Sequence, residues 1–179
     1  MQTGKRLVDP AVLGLAAVFV VQLAVVLNRP TRASSAFQPV IPGVFIDHVQ
    51  AIGPAGVGPA VDGPTFLLAF HSECAHCLKV SPQWSDWLRA HGSDRVIAIS
   101  REDLDIAERY AAEQGWNVAV RSIPTPDRPG MEAALMSRTP WIYVVDADGR
   151  VQATGHGNRI EEFGAMFEDL IDSEGQRPR

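Results

Sequence analysis

The chain has 179 residues, of which 46% are hydrophobic and 21% charged, and a formal net charge of −5; that is enough for one packed domain with an appendage and too little for two full domains. Lys5, Arg6, Arg29 and Arg32 gather near the amino terminus against only Asp9, so the remainder is more acidic than the whole. Such a balance argues against nucleic-acid backbone binding as the leading function.

A short basic segment, residues 1–9, precedes residues 10–28, which contain no charge and come close to the roughly 20 apolar residues that cross a hydrocarbon core. We expect 10–28 to be a transmembrane anchor with 1–9 as its cytoplasmic end, the amino terminus tipping the flanking bases toward inside. A cleaved signal peptide is the competitor, since Ser34-Ser35-Ala36 supplies small residues at plausible cleavage positions. Length favours the anchor: secretory apolar segments usually run about 7–15 residues, and here Arg29 and Arg32 intervene before the small ones. The domain beyond is then expected on the periplasmic or other extracytoplasmic side.

Residues 29–63 are rich in Pro, Gly and Ala and read as a tether with one short strand at 44–46. The compact domain is expected over 64–172, followed by a tail at 173–179. Residues 65–70 form a continuous apolar run bounded by turn signals, as for a strand buried on both faces. Cys77, Val80, Trp84, Trp87 and Leu88 recur at helical spacing and predict an amphipathic helix over 74–90, with Pro82 inside it and both tryptophans on its core stripe. A second strand is predicted over 95–100 and a second helix over 102–115, stopped at Gly115. Strand, helix, strand, helix implies α/β with a parallel core. Residues 121–130, with three prolines, read as a loop before a short helix at 131–137. Strands at 141–145 and 150–154 flank Asp146-Ala147-Asp148-Gly149, a hairpin signal. A final helix is predicted over 158–172, with Asn158 as its N-cap.

The only two cysteines, Cys74 and Cys77, fall at the first strand-to-helix junction with C-x-x-C spacing. A helix amino terminus presents unpaired N–H groups and the positive end of the macrodipole, so a Cys74 thiolate is favoured there. Cys77 lies one turn on, within reach of a mixed disulfide formed at Cys74. Zinc binding is disfavoured because no further ligand cluster accompanies the pair. A purely structural bridge across so short a loop would remove little unfolded-state entropy. His76, between the thiols, is expected to tune the site by favouring the Cys74 thiolate, while Glu73 opposes it. His71 is read as an ordinary surface or core histidine. Glu102, Asp103, Asp105, Glu161, Glu162, Glu168 and Asp169 are read as solvated helix charges without chemistry.

Taken together, the strand, the C-x-x-C at a helix start, Thr139-Pro140 leading into a strand, the Asp-Gly hairpin and the last helix resemble the thioredoxin superfamily. With an amino-terminal anchor and Val144-Val145-Asp146-Ala147-Asp148-Gly149-Arg150-Val151 after the proline, the chain looks most like the membrane-anchored TlpA/ResA-like branch. The resemblance implies a thioredoxin-like fold, a central mixed sheet flanked by helices, with an amino-terminal transmembrane helix. It implies that Cys74 is the exposed nucleophile and Cys77 the buried resolving thiol. Pro140 would be the cis-proline, with Thr139 offering its backbone to bound substrate, and Pro82 matches the family's helix kink. The chain departs from the pattern where Glu73 replaces a common tryptophan and Leu68 a buried acid. Ala75-His76 resembles the dipeptides of more oxidising relatives, whereas the scaffold suggests a reductase.

The expected activity is thiol–disulfide exchange with protein cysteines, recharged by a redox partner, with no resident cofactor or metal and no nucleic-acid partner. The alternative is copper handling in the manner of Sco-like chaperones. Two thiolates suit Cu(I), and His156 in Gly155-His156-Gly157 could join Cys74 and Cys77, although those chaperones space their cysteines by three residues. A redox-inactive interaction domain is a third possibility.

Overall fold

Strand β3 (Thr65–Ala69) is buried at all five residues because it is paired on both edges and covered on both faces. In the computed structural model, which describes residues 40–123 and 130–175, β3 runs parallel to β4 (Val96–Ser100) and antiparallel to β6 (Trp141–Val145). The other strands of the sheet are β1 (Gln50–Gly53), β2 (Gly56–Pro59), β5 (Ala119–Ser122) and β7 (Val151–His156). Their order across it is β2-β1-β5-β4-β3-β6-β7. The parallel centre, β5-β4-β3, thus carries antiparallel pairs on both flanks.

Side chains alternate across a strand, and the alternation sorts the core. Phe66 and Leu68 face one side, under α1 (Ala75–His91), α2 (Leu104–Glu113) and α4 (Ile160–Gly175), with Trp84, Trp87, Tyr110, Phe163 and Phe167. Leu67 and Ala69 face the other side, with Ile97, Ile99, Tyr143 and the short helix α3 (Met131–Leu135). Both tryptophans of α1 are core residues, as their spacing predicts.

The second face also corrects the domain boundary. Val40, Ile46, Val49, Ala60 and Val61 are buried there, and β1 and β2 form a hairpin whose first strand meets β5 at Ile52 and Ser122. Residues 40–63 therefore belong to the domain rather than to a tether. The predicted strand at 44–46 is a single bridge between Phe45 and Arg150. The prolines and glycines of this segment make its turns, and the sparse apolar residues between them do the covering.

Other elements fall close to expectation. α1 starts one residue late because Cys74 is its cap. α2 is shorter at both ends than predicted, and Gly115 follows it with φ 73°. In the β6–β7 hairpin, Asp146 Oδ1 accepts the N–H groups of Asp148 and Arg150 at 3.0 and 2.9 Å. The last helix is led in by a 3-10 turn, Gly157–Arg159, capped by His156 and not by Asn158: Asn158 N–H donates to His156 Nδ1 at 3.2 Å. The predicted anchor at 10–28, the start of the tether up to 39, residues 124–129 of the proline-rich loop and 176–179 of the tail lie outside the described residues. Among the described residues no helix is long and apolar enough to cross a membrane.

Candidate active site

The carboxyl ends of parallel strands open on a crevice where α/β proteins place their chemistry. Cys74 stands there, just past the end of β3. Its backbone is extended (φ −82°, ψ 112°) and its sulfur accepts the Cys77 N–H at 3.4 Å, so the side chain itself caps α1. Cys74 N–H donates to the His71 carbonyl at 3.1 Å. Both cysteines are free thiols, Cys74 half-buried and Cys77 buried.

Environment separates the two thiols. Burial opposes ionisation of Cys74, but hydrogen bonds from the Cys77 thiol and from the backbone N–H groups of Cys77 and His76 outweigh it, and the thiol lies below its ordinary value. Burial pushes Cys77 up to about 12, and its hydrogen bond to Cys74 and the Cys74 charge add to the rise. The thiolate is the attacking species, and of the two thiols Cys74 is the one whose surroundings favour ionisation while those of Cys77 oppose it.

Opposite Cys74 stands the loop before β6. Cys74 Sγ donates to the Thr139 carbonyl at 3.6 Å, and the Thr139–Pro140 bond is cis. Pro140 is pinned from behind: its carbonyl accepts the Gly157 N–H at 3.1 Å, and the Gly157 carbonyl accepts Trp84 Nε1–H at 2.7 Å. A Cβ at Gly157 would lie 2.6 Å from Trp84 and 2.8 Å from Pro140. Glycine is needed here for close approach, and it ties the loop to α1.

Not every residue singled out from the sequence meets the thiols in this way. The His76 side chain is exposed, and what it brings to Cys74 is its backbone N–H. Glu73 is exposed and donates its N–H to His71 Nδ1 at 3.2 Å. His156 Nδ1 lies 2.8 Å from Asn158 Oδ1, and its ring packs edge-on to Trp141. Among the described residues no three His, Cys, Asp or Glu side chains gather as a metal site would require, so His156 is not brought to Cys74 and Cys77 as the copper alternative needs. Leu68 is fully buried in β3.

Glu102 corrects the reading of a solvated charge. Its carboxylate, only 11% exposed, accepts Ser72 N–H at 2.8 Å and the hydroxyls of Ser72 and Ser100, the latter at 2.9 Å. His71 Nδ1 is 3.6 Å away. Burial opposes its ionisation, but these donors hold its carboxyl below the usual range. Behind Cys77, Ser81 Oγ donates to the Cys77 carbonyl at 2.9 Å and lies 3.0 Å from Tyr110 Oη. The sequence held a usable signal for Glu102. β3 and β4 are adjacent and parallel, which puts residues just past each strand side by side, and Glu102 follows Ser100, the end of β4, as Ser72 follows β3.

No family model matches the sequence, and no curated protein matches it. Solved structures do. A thio-disulfide isomerase from Thermus thermophilus is 25% identical with a TM-score of 0.54, over 74% of this chain and 96% of that one. A protein from Chlorobium tepidum that carries the name thiol:disulfide interchange protein DsbE is 20% identical, with a TM-score of 0.52 over 75% of this chain and 97% of that one. A peroxiredoxin-like protein from Aquifex aeolicus is 14% identical, with a TM-score of 0.55 over 74% and 88%. These likenesses show that the chain has a thioredoxin-like α/β fold.

Proposed function

We propose that this chain is a thiol–disulfide oxidoreductase acting on protein cysteines, of the TlpA/ResA-like kind, held on the extracytoplasmic side by an uncleaved anchor at 10–28. One observation carries the chemistry. Cys74 caps α1 with its own sulfur while Cys77 is buried one turn behind it, so one thiol is poised to attack and the other to wait. The named activities of structural neighbours support the same reading. The charge-free run at 10–28, with Lys5 and Arg6 before it, supports the anchor.

In the reaction, Cys74 thiolate attacks one sulfur of a substrate disulfide, and the other sulfur leaves as a thiolate and takes a proton. Cys77 then gives up its proton and attacks Cys74 Sγ in the mixed disulfide. The second substrate thiol is released, Cys74–Cys77 becomes a disulfide and the substrate has gained two electrons. Thr139 and Pro140 line the place where the substrate segment lies during this exchange. A dithiol partner outside the chain returns the electrons.

The test is exchange with a model protein disulfide. Cys74→Ser should abolish turnover, and Cys77→Ser should accumulate a covalent complex. Normal turnover by Cys74→Ser would overturn the reading. The potential of the pair in glutathione buffers gives direction: about −270 mV resembles thioredoxin and favours reduction of substrates, about −120 mV resembles DsbA and favours oxidation. Mass spectrometry of the mature chain tests the anchor, since a terminus at Phe37 would mean that 10–28 is removed.

A further inference from the structure

We propose that Glu102 is a positioning residue of this redox site: by clamping Ser72 it holds the 71–73 loop in the one form that presents Cys74 at the head of α1. The proposal deepens the exchange function above and rests on that reading for its purpose, though not for its geometry.

Residues 71–73 are otherwise tied mainly to themselves and to the two cysteines, the His71 backbone also hydrogen-bonding the Cys77 thiol. His71 carbonyl accepts Cys74 N–H and His71 Nδ1 accepts Glu73 N–H; neither bond fixes the loop to the rest of the domain. The outside attachment is Glu102, which takes both the N–H and the hydroxyl of Ser72.

Glu102 is itself held from several directions. Fully buried Ser100 gives its hydroxyl to the carboxylate and accepts Glu102 N–H at 3.2 Å. Buried Ser122, at the end of β5, donates to the Glu102 carbonyl at 2.5 Å. Phe70 N–H donates to the Ile99 carbonyl at 3.0 Å, extending the β3–β4 ladder to the start of the loop. One residue thereby stitches the ends of β3, β4 and β5 under the cysteine loop. A carboxylate with both oxygens engaged by hydroxyl and backbone donors makes strong, directional bonds, as a positioning residue requires.

The consequence for Cys74 is geometric. Its thiolate is favoured by N–H groups of the first turn of α1, and those point at the sulfur only while residue 74 keeps its capping conformation. Releasing Ser72 loosens that conformation and weakens the donors. Removing the Glu102 charge alone would act in the opposite sense, because a nearby negative charge disfavours a thiolate. The sign of the change therefore separates positioning from electrostatics.

The experiment is the pH profile of Cys74 alkylation in the full chain in detergent, comparing wild type with Glu102→Ala, Ser72→Ala and the double variant. Cys77 is buried, so alkylation reads Cys74, and it does so whether or not the chain proves to exchange disulfides. The expected result is a profile displaced to higher pH in each variant, with alkylation on the acid side falling about tenfold for every pH unit of displacement. The double variant should move no further than Glu102→Ala, since both changes break one clamp. A folded variant with the wild-type profile, a displacement to lower pH, or displacements that add would overturn the proposal. Should Glu102→Ala fail to fold, Ser72→Ala, which loses only a hydroxyl, carries the test by the same change of profile.

Discussion

The segment before Cys74 and the one after it treat the same sulfur differently. After it, Ala75 and His76 are exposed and supply Cys74 with backbone N–H through His76. Before it, Ser72 reaches a nearly buried carboxylate with both its N–H and its hydroxyl. Helix geometry delivers the backbone donors on the far side whatever residues stand between the cysteines, and the Cys77 thiol adds its own. The near side depends on particular side chains, because a loop has no repeating hydrogen bonds to fix it. The lesson is that the dipeptide between the cysteines is the more replaceable half of this site.

The largest expected effect is on the near side. Glu102→Leu leaves the donors of Ser72 and Ser100 without their carboxylate, at a cost of about 1–3 kcal/mol for each donor left unpaired in a buried place. Urea unfolding at neutral pH measures the loss, and a midpoint equal to wild type would mean that the loop is held by something else. Gly157→Ala should come next. It perturbs the Thr139–Pro140 wall and neither flank of Cys74, and a methyl forced against Trp84 and Pro140 costs about 1–3 kcal/mol. Unchanged stability there would show that the cis-proline loop can yield.

Acid sharpens the comparison further. The Glu102 carboxyl lies below its ordinary range, so its contribution is complete above the unfolded-state value of about 4.3 and is lost as pH falls through the folded one. The stability gap between wild type and Glu102→Gln should therefore be widest near neutrality and close on the acid side. A gap independent of pH would show that the charge is not used. The smallest effect belongs to the far side: His76→Ala should raise the Cys74 pKa only slightly, because the ring is exposed and alanine keeps the backbone N–H that serves Cys74. A tenfold change in the Cys74 acid constant, read in a thiolate absorbance titration, would reverse the comparison.

The parts legible in the sequence were those governed by short-range rules. The apolar run of β3, the helical spacing in α1, the Asp-Gly hairpin and the C-x-x-C at a strand–helix junction each declare themselves within a few residues. Two features depend on what a distant segment covers. Val40, Ile46, Val49 and Val61 are scattered among prolines and glycines, with no period of 2 or 3.6 to reveal the sheet face that they cover. Glu102 sits among Asp103 and Asp105 at the mouth of a helix, where acids are common. Only the adjacency of β3 and β4 separates it from them, by setting it beside Ser72. The same long-range blindness allowed His156 to be considered beside the thiols, when its ring instead caps its own turn.

The raised Cys77 thiol has a temporal consequence. Held up at about 12, it stays protonated at neutral pH, which in the proposed exchange leaves the first attack to Cys74. Part of the rise comes from Cys74 itself, through its hydrogen bond and its charge. Once Cys74 is joined to substrate, that charge is gone and the same sulfur becomes the target. In the proposed exchange, capture of substrate thereby makes Cys77 more acidic, which favours its attack on the mixed disulfide. The two sulfurs form a sequence with a built-in order, in which the first bond formed licenses the second.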